Sequence, residues 1–285
     1  MADGSYQPHS PVIQPLRRDL RFGLDGARIH DWHGEGPAIT QFMNTLSLFF
    51  PEGERFFIGA VRHYRDRITD PALQKAITGF IGQEAMHGRE HSDFNQLMED
   101  AGLPAARLEK IVTVLLKRLQ KNLPAATQLS ATIALEHMTA VLGDYLLKNE
   151  DFIRSAEPAY GRLWRWHALE ETEHKAVAFD VWKAVMPRTL GSYLHRTGGL
   201  IVATGLFMVL VAAFQVQMVA AAPRQQSRMQ ALGSMLRFLF VKPGLLPNVT
   251  RPMLDYFRPG FHPWDHDNRH FLAQMGALEA ELAAA

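Results

Sequence analysis

Two stretches decide the fold: residues 71–100, PALQKAITGFIGQEAMHGREHSDFNQLMED, and residues 158–174, PAYGRLWRWHALEETEH. Each holds a Glu-x-x-His pair, Glu84 with His87 and Glu171 with His174. Asp70 and Pro71 supply an N-cap and a first helical position, and Gly102 a stop, so the first stretch reads as one helix of about 30 residues, or ~45 Å. Residues three apart on a helix share a face, so a carboxylate and an imidazole can reach the same cation. With 15 Glu and 13 His in the chain, chance alone gives roughly 0.7 such pairs. The setting of the pairs therefore matters more than the pairs themselves.

Outward from these stretches the pattern stays helical. Ala38–Phe50 is a short apolar helix, and Pro51 opens a helix to about Ile68 with Glu54 in its first turns. Leu108–Leu123 is amphipathic and Ala125–Lys148 is a long helix carrying Glu136 among apolar neighbours. The helix opened by Pro158 is expected to continue to Val185, before Pro187. No β alternation appears, so the chain reads as all-α. A lone Glu, a Glu-x-x-His, a crossover, a second lone Glu and a second Glu-x-x-His follow the ligand plan of di-iron carboxylate four-helix bundles. The expected architecture is a ferritin-like four-helix bundle with a crossover helix over 37–187. An irregular arm, partly flexible at its start, precedes it over 1–36. Residues 188–285 add an apolar helix and an extended, proline-rich wrap ending in a short helix near Phe271–Leu282, in the same domain or as a membrane-associated extension.

Each carboxylate taken alone is a plausible surface charge. Six residues in helical order, Glu54, Glu84, His87, Glu136, Glu171 and His174, instead form a metal site, with Glu84 and Glu171 bridging and Glu54 and Glu136 terminal. Four carboxylates balance most of the charge of two divalent cations, and oxygen and imidazole donors suit Fe, with Mn as an alternative. His167, Glu171 and His174 stand at i, i+4, i+7 spacing, and His167 is either a seventh ligand or a packed histidine supporting one. His91, at i+7 from Glu84, is a weaker candidate. His137 lies ~100° around the helix from Glu136, which suits a surface or packing role. Glu170 and Glu173 read as solvated or supporting carboxylates, and Asp180 could orient a histidine. Trp164, Trp166 and Met86 read as core and would leave an apolar pocket beside the metals. Neither a phosphate-binding glycine loop nor a G-x-S-x-G nucleophile motif is present.

Composition narrows the partners. A net charge of +1 gives no field for nucleic acid. With no cysteine, disulfides, thiolate nucleophiles and Cys-ligated zinc are excluded. Asp3, three early prolines and Arg17-Arg18 stand where a signal peptide needs an apolar run, so a cytoplasmic protein is expected, free or associated with the inner face of the membrane. Residues 197–223 hold no charged residue or histidine, which exceeds the ~20 residues that cross a bilayer. Gln215, Gln217 and several small residues argue equally for a buried or dimer-forming helix. Membrane association and a homodimer through this segment both stay open.

The segments LFFPEGERFF, FIGQEAMHGREH, ALEHMTAVLGD, WHALEETEHKAVAFDVW and YFRPGFHPWDHD resemble those of the bacterial predicted metal-dependent hydrolase family, over about residues 35–270. That resemblance implies a ferritin-like bundle with a dinuclear centre on Glu54, Glu84, His87, Glu136, Glu171 and His174. The His167-x-x-x-Glu171-x-x-His174 run is also similar to that of the arylamine N-oxygenases, di-iron enzymes with a histidine as seventh ligand. The leading functional expectation is a di-iron oxygenase or oxidase that uses O₂ and an unidentified electron donor on a hydrophobic small molecule. The alternatives are a hydrolase using a metal-activated water and a non-catalytic, ferritin-like iron-binding protein.

Overall fold

The computed structural model describes residues 13–284. The start of the N-terminal arm, expected to be flexible, lies outside the described residues. Twelve α-helices follow one another: α1 (Pro37–Ser47), α2 (Phe50–Tyr64), α3 (Pro71–Asp100), α4 (Ala105–Asn122), α5 (Ala125–Lys148), α6 (Glu150–Arg154), α7 (Pro158–His174), α8 (Val177–Val185), α9 (Leu190–Ala221), α10 (Arg228–Phe240), α11 (Leu245–Asp255) and α12 (Met275–Ala284). No strand occurs among the described residues, only an isolated bridge between His33 and Ala156. Helix α3 starts as its sequence dictates, with the Asp70 side chain accepting from the Ala72 N–H at 2.9 Å and Pro71 at the first position.

Helix α2 packs on α3 and α5, and α7 packs on α5 and α3, so four helices surround the residues singled out above. Helix α4 links α3 to α5. The arm is not loose where it is described: Ile29 and Trp32 are buried, and Trp32 stacks on Tyr160 of α7 at 4.9 Å and 7°. One apolar core joins Trp32 of the arm, Trp166 of the bundle and Phe214 and Phe238 of the C-terminal third.

Three expectations change. The helix expected from Pro158 to Val185 breaks after His174. Lys175, at the break, is buried and donates from Nζ to the His266 carbonyl at 2.6 Å and to Asn268 Oδ1 at 2.7 Å. Those partners come from residues almost a hundred positions downstream, so no local pattern announces them. The expected extended wrap is largely helical, as α10, α11 and α12 with short 3₁₀ turns at 263–265 and 269–274. Helix α11 even contains Pro252; the other prolines lie outside helices or in first turns, where a missing N–H costs little. Finally, α9 is neither buried all round nor free on all sides. Thr197, Leu200, Val211, Phe214 and Met218 face the protein, while Ile201, Val202, Val209 and Val216 are exposed. It is the one described helix long and apolar enough to cross a membrane by length and composition. Gly199 lets α9 lie against α5, because a Cβ there would stand 2.1 Å from Ser130 Oγ and 3.1 Å from its carbonyl oxygen.

Candidate metal centre

Helix α2 contributes Glu54; α3 contributes Glu84, His87 and His91; α5 contributes Glu136; α7 contributes His167, Glu170, Glu171 and His174, and all nine are buried. Two groups have ligating atoms close enough to share an ion: Glu54, His87 and His167, and Glu84, Glu171 and His174. His174 Nε2 stands 3.0 Å from Glu84 Oε1, 3.5 Å from Glu171 Oε2 and 3.6 Å from Glu136 Oε2. The structure therefore brings together all seven residues proposed from the sequence as ligands.

Whether these residues suit metal can be judged from their unmet hydrogen bonds. Both carboxylate oxygens of Glu54, Glu84 and Glu136, together with His87 Nδ1 and His174 Nε2, are buried without a hydrogen-bond partner. Buried polar atoms left unpaired cost about 1–3 kcal/mol each, so such a concentration needs something to satisfy it. Electrostatics points the same way. Burial, reinforced by the neighbouring carboxylates, holds Glu54 and Glu136 well above the ordinary carboxylate range. Burial also raises Glu84, against the pull of His174. Glu171 goes the other way: burial resists its ionisation, but His174 and the hydrogen bond from His167 prevail. His174 is raised in turn, because Glu84 and Glu171 outweigh its burial. Without cations, then, Glu54 and Glu136 favour their protonated forms beside a His174–Glu171 ion pair. Divalent cations fit the donor set in place of those protons.

The surrounding shell fixes which nitrogen each histidine offers. His87 Nε2 is 3.1 Å from Glu170 Oε2, leaving Nδ1 toward Glu54 Oε1 at 3.9 Å. His174 Nδ1 is 2.9 Å from Gln83 Oε1, leaving Nε2 toward the carboxylates. His167 Nε2 is 3.1 Å from Glu171 Oε1, and its Nδ1 is 2.8 Å from His91 Nε2. His91 in turn meets Ser47 Oγ at 2.9 Å through Nδ1, so it supports His167 and does not join either group. The His87 and His167 rings stack at 4.1 Å, and the His87 and Trp166 rings meet in a T-shaped contact at 4.6 Å and 90°.

Several supporting residues escaped the sequence. Arg18 of the arm donates to Glu170 Oε1 at 3.1 Å and to Glu173 Oε2 at 2.8 Å, and Gln83 donates to Glu173. Glu170 is accordingly not solvated; burial, only partly offset by Arg18, pushes its carboxyl up to about 8. Gly88 is a second omission: a Cβ there would lie 3.1 Å from Glu54 Oε2. A glycine one turn after Glu84 on the ligand face was the available signal. Other expectations move. Of the surface or packing role expected for His137 the structure shows packing: it is buried, and its Nε2 donates to the Pro252 carbonyl at 3.1 Å. Asp180 does orient a histidine, but it is His262, at 3.1 Å and outside the two groups.

A cavity of about 60 Å³ opens beside the centre. Its polar end is Thr139, His167 and Glu171; Phe42, Phe50, Leu142, Trp164 and Phe238 line much of the rest. Thr139 Oγ1 donates to Glu171 Oε2 at 2.7 Å. Of the wall residues, Tyr145 has a hydroxyl and Trp164 an indole N–H that are buried and without a hydrogen-bond partner among the described residues.

No curated protein and no solved structure matches the chain, so the likeness to arylamine N-oxygenases has no support beyond the His167–His174 run. A family profile described as predicted metal-dependent hydrolase matches residues 16–267, and that description favours the hydrolytic alternative over the oxidative reading. With the two buried His/Glu groups inside a match that spans most of its length, the chain belongs to the predicted metal-dependent hydrolase family.

Proposed function

We propose that the protein is a two-metal enzyme, built on a ferritin-like bundle, that transforms a largely apolar small molecule in the cavity beside Glu171 and His167. The carrying observation is the convergence of partnerless carboxylate oxygens and imidazole nitrogens in a buried space. Glu54, His87 and His167 would hold one ion, and Glu84, Glu171 and His174 the other, with Glu136 against the second. When bound, iron or manganese would supply Lewis acidity and a redox couple. The chain's own residues do the rest. Glu170, Gln83 and His91 hold the three imidazoles in orientation. Thr139 holds Glu171 at the cavity's edge. Burial keeps the Tyr145 hydroxyl protonated, so the cavity wall adds no charge beyond Glu171 and His167.

Oxidation of that substrate by O₂ is the reaction the cavity supports. Its walls offer few polar partners to a file of water, whereas O₂ and hydrocarbon groups need none. Hydrolysis is the second reading, and the family description favours it. There a water at the metals would attack an ester or amide. Loading purified protein with iron, manganese or zinc and following both O₂ uptake with a reductant and anaerobic cleavage of an aryl ester separates the two. Uptake that requires iron and disappears in His167→Ala supports oxidation. Ester cleavage under nitrogen with zinc establishes hydrolysis.

A further inference from the structure

The cavity's outer wall belongs to the C-terminal third of the chain. Phe238 of α10 and Leu245 of α11 line it, opposite the polar end at His167 and Glu171. Outside that wall the surface is apolar. Ile201, Val202, Val209 and Val216 on α9 and Leu236 and Phe240 on α10 are all exposed. Both helices pack on α1.

Charge along this stretch of chain is of one sign. From residue 181 to residue 254 there is no Asp or Glu, against eight Lys or Arg. At 29 acids in 285 residues, a run of 74 would hold about seven. Arg188, Arg224, Arg228, Arg237, Lys242 and Arg251 are exposed, and among the described residues none makes a salt bridge to a carboxylate. A self-associating face ringed by like charges would repel its copy, whereas an anionic surface complements it.

The polar contacts of the apolar helix are made within the protein. Gln215 donates to the Ala38 carbonyl at 3.0 Å and accepts from Thr45 Oγ1 at 2.9 Å, both on α1. Arg196 is buried over the Tyr256 ring at 4.6 Å. Helix α9 thus lies along α5 and α1 with its polar side chains turned into the protein. A lipid-crossing position would drag the charged bundle with it, so an orientation in the membrane plane is the one that fits.

We propose that the exposed face of α9–α11 docks on the surface of an anionic lipid bilayer, and that the cavity behind Phe238 and Leu245 receives an apolar chain from that bilayer. The docking half stands on the surface alone; the delivery half rests on the proposed use of the cavity.

Flotation of the full, metal-loaded chain with vesicles tests the first half. Binding should be at least tenfold tighter to phosphatidylcholine mixed with phosphatidylglycerol than to phosphatidylcholine alone. Arg228→Glu with Arg237→Glu should weaken it at least tenfold, as should Val209→Glu with Leu236→Glu. All four positions are exposed, and metal content should not move. Indifference to vesicles, or a dimer that Val209→Glu disperses and that ignores lipid, would overturn the docking surface. For the second half, a brominated fatty acid placed in the vesicles should quench a component of protein fluorescence that Trp164→Phe removes. Vesicle binding without that component would overturn delivery while leaving the docking surface intact. Failure to bind metal would count against the proposed function and not against the docking surface.

Discussion

Glu170 makes a sharp test of the metal centre because it touches a proposed ligand without being one. Its Oε2 lies 3.1 Å from His87 Nε2, and its Oε1 accepts from Arg18 at 3.1 Å. Replacing it with Leu removes the group that fixes the His87 ring and leaves Arg18 its bonds to Glu173. Supporting partners of this type are worth about 10–100-fold in metal affinity, which is ~1.4–2.7 kcal/mol. The loss should fall on one ion, because His87 belongs to the group with Glu54 and His167, and Gln83 still holds His174 in the other. Glu170→Leu should therefore bring metal content from about two ions per chain toward one under a chelator that leaves the wild type loaded. Glu170→Gln keeps an oxygen acceptor for the His87 N–H and should recover most of the difference. Competition with a chromophoric chelator and elemental analysis give both readouts. If Glu170→Leu retained two ions with unchanged resistance to chelation, the assignment of His87 Nδ1 to a metal would be refuted.

Glu136→Ala should lower metal content from about two ions to below one by elemental analysis, since Glu136 stands 3.6 Å from His174 Nε2. Gly88→Ala should weaken metal binding several-fold while sparing helix content by circular dichroism, because the added methyl crowds Glu54 Oε2 at 3.1 Å and ligand placement tolerates only ~0.5 Å. Gly199→Leu should cost about 1–3 kcal/mol in urea unfolding by driving α9 off Ser130. Burial pushes the His33 imidazole down to about 4, whereas an unfolded histidine titrates near ~6.5. Its contribution is thus whole above about 6.5 and fades as pH falls toward 4, by up to ~3 kcal/mol. His33→Gln should flatten that part of the acid limb, and an unchanged difference between wild type and variant from pH 7 to pH 4 would contradict it.

Where local chemistry acts alone, the sequence was readable. Asp70, Pro71 and Gly102 bracket α3, and Pro124 marks the start of α5, because caps and prolines act within one turn. The seven proposed ligands were visible because helical spacing places them on common faces. The break after His174 was not, since Lys175 is turned by His266 and Asn268. The roles of Arg18, Gln83 and His91 were equally hidden: each depends on a partner at least 76 positions away. The helical character of 228–255 was obscured by prolines that read as breakers and sit where a helix tolerates them, apart from Pro252.

The arm's contact with the centre bears on how the protein assembles. Leu16 and Arg18 bind Glu170 and Glu173 across 152–157 positions of chain, and Gln83 donates to the Leu16 carbonyl at 3.1 Å. Closing so large a loop is entropically slow and is rewarded only after α3 and α7 have already met. The ring of support around His87 is therefore sealed by a segment that precedes every ligand in sequence yet meets its α7 carboxylates only when the last ligand helix is in place. Synthesis and assembly run in opposite order here, and a chain interrupted before residue 170 leaves the arm its contacts with α3 but Arg18 without the carboxylates of α7.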